Sequence, residues 1–277
     1  MELIKPMLAK TYISSKFVPG MFGQPKLDGI RALYQDGQFV SRDGIVWSEH
    51  CFRDLKAYLS SVIPPDIILD GEFYIHGTSL QQINSRCAVK RITPHPKEHE
   101  VVFHCFDTVQ LLPFYDRYVM FKQAYPLEHS QFSFVKTYKL DTEVVGTNMF
   151  LEFKRQRYEG LMYRHPTDPY SIPSMCGNKQ NRSWSLMKRK SWLDLDATIV
   201  GCLPGEGKYS ETLGSFQLAY CGIVFSAGSG LSDFQRDLYW RHRTAMLGST
   251  VKIQYETLSD TGIPLKPIIL LVDAPEL

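Results

Sequence analysis

The sequence predicts an α+β protein in two parts. Three observations carry that expectation: strand-like and helix-like stretches interleave through roughly the first 190 residues, short strands broken by Gly-containing turns follow, and one capped helix interrupts them. A chain of 277 residues is long enough for two ordinary domains, each with its own core. The change of character falls at Ser191–Asp196, so the expected domains are residues 1–192 and 193–277.

In chain order, Ala32–Val40 has strand character with a turn at Asp36-Gly37. Ser48 is placed to cap a helix whose apolar residues Phe52, Leu55, Leu59 and Val62 recur at helical spacing, and Pro64-Pro65 ends it. Ile67-Ile68-Leu69 runs as a buried strand into Asp70-Gly71-Glu72 and on through Phe73-Tyr74-Ile75. Val101–Val109 is another apolar run, and Phe150–Tyr158 reads as a helix leading to Glu159-Gly160. In the second part, Thr198-Ile199-Val200 precedes a turn at Pro204–Gly207, and Phe216–Tyr220 with Ile223–Phe225 form a hairpin across Cys221-Gly222. Ser232 with Gln235 makes a capping box for a short helix reaching His242. Val251, Ile253 and Tyr255 alternate, and Pro267–Val272 is a final strand, so the second part suits a small barrel such as the OB-fold.

Composition narrows the class. Hydrophobic residues make up 44% and charged residues 22%, a globular balance with no run of about 20 apolar residues to span a membrane. The start, Met1–Pro6, has no apolar signal region, so a cytoplasmic or nucleoid-associated location is expected. The six cysteines lack any C-x-x-C pair and read as reduced thiols, against a zinc site or disulfide frame. The net charge of +2 neither requires nor excludes a nucleic-acid partner; distribution decides. Lys179, Arg182, Lys188, Arg189 and Lys190 form a basic run with no acid among them.

The chemistry concentrates at Pro25-Lys26-Leu27-Asp28-Gly29-Ile30-Arg31. Lys-x-Asp-Gly with a following Arg suits a lysine that attacks the α-phosphate of a nucleotide and keeps it as a phosphoramidate. Alone the tetrapeptide is weak, since it arises by chance in roughly one chain in twenty of this length. Its companions, in order, are Ser41-Arg42-Asp43-Gly44, Asp70-Gly71-Glu72-Phe73, Phe103–Asp107, Glu159-Gly160-Leu161-Met162 and Leu186–Lys190.

This order and spacing resemble the nucleotidyltransferase motifs of ATP-dependent DNA ligases over nearly the whole chain. Gly205–Lys208, Leu213-Gly214-Ser215, Gly228–Asp233 and Trp240 are similar to the OB domain of those enzymes. The resemblance implies a nucleotidyltransferase domain of packed antiparallel sheets with helices, then a C-terminal OB-fold β-barrel. It also implies an activity: sealing nicks in duplex DNA by way of AMP carried on Lys26. ATP is then the expected donor, Mg²⁺ (or Mn²⁺) the expected ion, nicked duplex DNA the partner, and a monomer the expected state.

Residue roles follow from the resemblance, each beside a plainer structural reading. Lys26 is the adenylated residue; otherwise it is a surface lysine in a turn. Deprotonating an unperturbed lysine at pH 7.5 costs about 4 kcal/mol, which neighbouring cations and phosphate must offset. Glu72 and Glu159 are candidates for nucleotide and metal contact, or ordinary strand-end carboxylates. Phe103 offers a stacking face to adenine, or packs in the core. Lys188 and Lys190 alternate on a strand and so point together at the transferring phosphate, with Arg189 facing away into solvent. Gln24, Pro25, Leu27, Arg31 and Met162 complete the expected nucleotide site. Asp28, Arg31, Ser41, Arg42, Arg182, Lys208 and Ser229 are the expected nucleic-acid contacts, the arginines by their phosphate-matching forks.

Two departures stand out. Only 25 residues precede Lys26, so the large N-terminal DNA-binding domain of bigger ligases is not expected, and no latch-sized insertion lies between Gln217 and Gly230. Leu265-Lys266-Pro267-Ile268 matches the last ligase motif only in outline, with Lys where Arg is usual. The competing readings are an RNA ligase or capping guanylyltransferase, and a non-catalytic nucleic-acid-binding protein.

Overall fold

Alternation of side chains along the strands decides how the first part of the chain is layered. The computed structural model describes residues 4–172 and 182–274 and divides into two units, Met1–Lys190 and Ser191–Leu277. Lys179 and Cys176 lie outside the described residues.

The first unit contains β1 (Leu8–Thr11), β2 (Met21–Lys26), β3 (Ile30–Gln35), β4 (Gln38–Ser41), α1 (Arg53–Val62), β5 (Leu69–Tyr74), α2 (Leu80–Cys87) and β6 (Val102–Thr108). It continues with α3 (Phe121–Ala124), β7 (Phe132–Phe134), β8 (Tyr138–Leu140), α4 (Glu143–Arg155), β9 (Gly160–Arg164) and β10 (Arg182–Lys190). These strands make two five-stranded sheets, sheet A in the order β1-β10-β9-β2-β8 and sheet B in the order β4-β3-β5-β6-β7. All neighbours pair antiparallel except β1 with β10 and β6 with β7. The β3–β4 turn is as expected: Asp36 and Gly37 both take positive φ, 51° and 73°, the pattern of a two-residue hairpin loop.

Odd and even positions then sort into layers. Leu161, Tyr163 and Met187 of sheet A cluster with Phe150 and Phe153 of α4, so that helix covers the outer face of sheet A. Ala32, Tyr34, Phe73 and Phe103 of sheet B cluster with Leu55 and Leu59 of α1 and Ile83 of α2, which cover its outer face. The inner faces meet through Ala9, Leu33, Leu186 and Met162. Polar side chains at inner positions lie between the two sheets, and that layer carries the candidate site.

The second unit holds β11 (Leu193–Pro204), β12 (Leu213–Tyr220), β13 (Ile223–Ala227), α5 (Asp233–Arg241), β14 (Thr250–Tyr255), the short pair β15 (Thr257–Leu258) and β16 (Pro264–Leu265), and β17 (Ile268–Asp273). Five strands order as β13-β12-β11-β14-β17, each neighbour antiparallel. The two edges are drawn together where Ser229 bridges Ile268 and accepts the Ile269 amide at 2.8 Å, closing the sheet toward a barrel. Gly230 fits there because its φ is +99° and a Cβ would stand 2.2 Å from Ile269 O. The expected capping box is present, with Ser232 and Gln235 bonded reciprocally at the start of α5. The β12–β13 turn also has positive φ at Cys221 and Gly222, 46° and 79°.

Three local expectations need correction. Ser48 does not cap α1: the helix begins at Arg53 after Phe52 in the left-handed region at φ 53°. The chain from Ser48 is instead a turn, with Cys51 N on Ser48 O at 3.1 Å and Lys56 Nζ on the Ser48 and Glu49 carbonyls at 3.0 and 3.1 Å. Val62 is exposed rather than on the apolar stripe. The helix expected at Phe150–Tyr158 runs from Glu143 to Arg155, because Thr142 accepts the Val145 amide and starts it sooner.

Candidate active site

Register across sheet A assembles the inner face. Gln24 lies opposite Met162, which lies opposite Lys188; two residues along, Lys26 lies opposite Gly160, which lies opposite Lys190. Side chains alternate with period two, so both rows point to the same side. The row between them, Pro25, Leu161 and Arg189, points to the other. Pro25 therefore turns its ring away from this face, and Leu27 packs into the core beneath sheet B. Their backbone is what they present; Lys26 Nζ reaches Leu27 O at 3.4 Å. Arg189 is not merely solvated, which corrects the expectation. Its guanidinium packs 4.6 Å from the Phe150 ring centre and donates to Thr147 Oγ1 at 3.0 Å.

Glu159 ties the cationic row together. Its amide donates to Lys26 O at 3.0 Å, which fixes the residue against the lysine strand. One carboxylate oxygen pairs with Lys26 Nζ and the other with Lys190 Nζ. One acid thus holds two ammonium groups at neighbouring points, a preset field for anionic phosphate.

Sheet B supplies the facing wall. Arg31, Glu72 and His104 lie in one row across β3, β5 and β6. Glu72 Oε1 accepts the Gly29 amide at 2.9 Å. Gly29 approaches so closely that a Cβ would stand 2.2 Å from Phe73 O, which is why the lysine motif needs glycine there. Burial pushes the Glu72 carboxyl up to about 7, against the opposing pull of Lys26 and the Gly29 amide. Burial also lowers the His104 imidazole to about 4, helped by the nearby His76. Arg31 is clamped in a fork on Asp70, at 2.6 and 2.5 Å, and Asp70 also accepts the Tyr170 hydroxyl at 2.7 Å.

Two expected nucleotide contacts sit elsewhere. Phe103 is fully buried and packs against Phe39 and Phe73 at 4.9 and 5.4 Å, so its ring presents no open face. Phe103 pairs with Phe73, on the opposite side of β5 from Glu72, and the core reading is the correct one. A bulge follows: Cys105 faces Gly71 and Asp107 faces Asp70, leaving Phe106 without a counterpart. That places the Phe106 ring 4.6 Å from the Arg31 guanidinium. Gln24 is 1% exposed and its amide is committed to the protein, donating to Phe106 O at 3.0 Å and Thr137 Oγ1 at 2.9 Å and accepting from Arg164 at 2.9 Å. Neither donor is left for a base.

Asp107, Arg117 and Arg164 did not stand out in the sequence as a group. Asp107 takes Arg117 at 2.7 Å and Arg164 at 2.5 Å, all three essentially buried. Arg164 follows Met162 at the strand period, which was the available signal; Arg117 gave none. Among the expected nucleic-acid contacts, Asp28 lies in the β2–β3 connection and Arg42 is exposed at the end of β4. Ser41 is buried, its hydroxyl accepting the Ile45 amide at 3.0 Å, so it shapes the turn. Arg182 is exposed and donates to Ala9 O at 2.7 Å. In the second unit, Lys208 is exposed, 3.3 Å from Asp233, while Ser229 makes the barrel-closing bridge.

Comparison with known proteins agrees with this architecture. Residues 6–190 match the ATP dependent DNA ligase domain, and residues 204–272 match the DNA ligase OB-like domain. A DNA ligase of Haemophilus influenzae is 22% identical over 260 residues, spanning 93% of this chain and 88% of that one. A DNA ligase of African swine fever virus (isolate Warthog/Namibia) is 25% identical over 296 residues, 95% of this chain and 67% of its own. Among solved structures, a Lig E DNA ligase shares the fold at a TM-score of 0.80 with 24% identity, covering 98% of this chain and all 100% of that one. The Chlorella virus DNA ligase-adenylate superposes at 0.54 with 25% identity, over 99% and 100% of the two chains. Two ligase family models, end to end, take up most of the sequence, and the chain belongs to the ATP-dependent DNA ligases.

Proposed function

We propose that the inner faces of sheets A and B form the pocket in which Lys26 takes AMP from ATP and passes it to the 5′-phosphate of a nicked duplex. Strand joining through a covalent lysyl-AMP is the activity of the family. The observation that carries the residue assignment is the double grip of Glu159 on Lys26 and Lys190, beside Lys188 on the same face.

The Lys26 ammonium first loses a proton, and the carboxylate in contact with it is Glu159. Its nitrogen then bonds to the α-phosphorus as the bond to the β-phosphate oxygen breaks, releasing pyrophosphate. An oxygen of the DNA 5′-phosphate next displaces the lysine, breaking the P–N bond. Last, the 3′-hydroxyl attacks the 5′-phosphorus and AMP leaves. Lys188 and Lys190 stabilise charge at each transfer. Phe106, 8% exposed with its ring 4.6 Å from Arg31, is the proposed adenine platform in place of Phe103, and Met162 lies across the row from Gln24 on the same face.

A Mg²⁺-type ion fits this donor set. Among the described residues no three acidic, His or Cys groups cluster as a protein-only cage. Such an ion needs only one or two carboxylates plus substrate phosphate, and Glu159 and Glu72 would provide them. Bound there, it would neutralise phosphate charge. A monomer is the proposed working state.

The test is incubation with α-labelled ATP and magnesium, followed by peptide mass spectrometry. The expected result is an AMP mass on Lys26, absent in Lys26→Ala and discharged by nicked duplex. Label that never appears on Lys26 would overturn the proposal.

A further inference from the structure

We infer that Lys10, Lys16 and Trp184 form a second contact surface for DNA, at the β1 edge of sheet A and apart from the nucleotide pocket. The inference rests on the reading of the chain as a DNA-joining enzyme.

The surface is built by an irregularity in pairing. Ala9 lies opposite Ser183 and Lys10 opposite Met187, so residues 184–186 have no counterpart on β1, while Leu186 stays paired with Arg164 on β9. The bulge is locked in place. Ser183 Oγ accepts the Ser185 amide at 3.1 Å and donates to Ser185 Oγ at 2.8 Å, and Ser185 Oγ donates to Asp168 at 2.9 Å. Bulges of this kind re-aim a side chain. Here the side chain is Trp184, an indole left 37% exposed.

Two ammonium groups converge on that ring, Lys10 Nζ at 4.4 Å and Lys16 Nζ at 5.4 Å from its centre. Neither has an ion-pair partner among the described residues. Like charges gathered around one ring repel each other, and a polyanion relieves that repulsion. A part-exposed indole that gathers point-charge lysines is the chemistry that tracks a sugar-phosphate backbone.

Continuity with the pocket selects DNA over a small anion. Trp184 is carried by β10, the strand that ends in Lys188 and Lys190. Four residues of strand span at most roughly 13 Å. That is at most about four nucleotide steps along one strand from a nick phosphate held beside Lys188.

The experiment measures nicked-duplex affinity between 50 and 200 mM salt for the wild type, the double variant K10A/K16A, W184A and K16E. Lys16 is exposed, so K16E leaves the core intact. Expected are an affinity loss of about tenfold in K10A/K16A and a salt slope shallower by about 1.8, which is two phosphate contacts. W184A should lose several-fold, and Lys26 adenylation without DNA should be unchanged in all. Unaltered affinity and slope in both lysine variants would overturn the inference. Patch-dependent binding by a wild type that never becomes adenylated would retire the ligase reading and uphold the patch.

Discussion

Phe103 and Phe106 stand three residues apart on one strand and meet opposite fates. Phe103 is sealed between Phe39 and Phe73, while the bulge at Phe106 turns that ring toward Arg31. Phe103→Ala should therefore cost stability, about 3–5 kcal/mol in urea unfolding, and Phe103→Leu should fold and still adenylate Lys26 at near-normal ATP affinity. A large rise in ATP KM for a well-folded Phe103→Leu would contradict the core assignment. Glu72 makes a second test. Its carboxyl is raised to about 7 by burial, so the folded protein holds a proton that the unfolded chain releases above about 4.5. Stability conferred by that proton is complete at acid pH and is lost as pH rises toward 7. Glu72→Gln removes the dependence. The wild type should thus lose on the order of 1–3 kcal/mol relative to this variant between pH 4.5 and 8. Parallel stability curves would refute the buried carboxyl. That Lys188 and Lys190 share one face of a strand was legible because period-two alternation survives in a sequence. The burial of Gln24 and the commitment of Arg31 to Asp70 were not, since both depend on partners 39 or more residues away.

Among the elements, paired strands matter more than single runs. The apolar run Val101–Val109 contains β6, yet the bulge that separates Phe106 from Phe103 belongs to its pairing with β5 and has no local signature. Ser48 failed as a cap for a related reason: Lys56 reaches back to its carbonyl and favours a turn over another helical turn. β6 and β9 are joined between the sheets by Asp107, which balances both Arg117 and Arg164. Removing one member of a buried ion pair strands the others, at about 3–5 kcal/mol. Asp107→Ala strands two guanidinium groups and is expected to unfold the first unit near physiological temperature, read by calorimetry; a small shift in Tm would speak against the network. In the second unit, Gly230→Ala forces a Cβ to 2.2 Å from Ile269 O at a φ of +99°. The β13–β17 closure should open, costing more than about 2 kcal/mol by strain, and amide exchange at Ile269 should quicken.

For the molecule as a whole, the proposed chemistry and the cores divide along the same line. Lys26, Glu72, Glu159, Lys188 and Lys190 all precede Ser191, where the second unit begins, and the first unit keeps three hydrophobic clusters of its own. The second unit has a separate cluster around Phe216, Leu218, Val251 and Ile253. Each piece therefore has the means to fold alone. Net charge is +2, too small for a uniform field, so the proposed DNA affinity rests on local cations. The proposed ones are Lys10, Lys16 and Arg182 in the first unit and Lys208 in the second. A chain ending at Lys190 should unfold in a single transition and bind nicked duplex at least tenfold more weakly than the whole chain, with a shallower salt slope as phosphate contacts are lost. Residues 191–277 alone should give the circular dichroism of a β protein. Binding by the shortened chain as tight and as salt-sensitive as that of the full protein would place every DNA contact in the first unit and remove Lys208 from the DNA-binding surface.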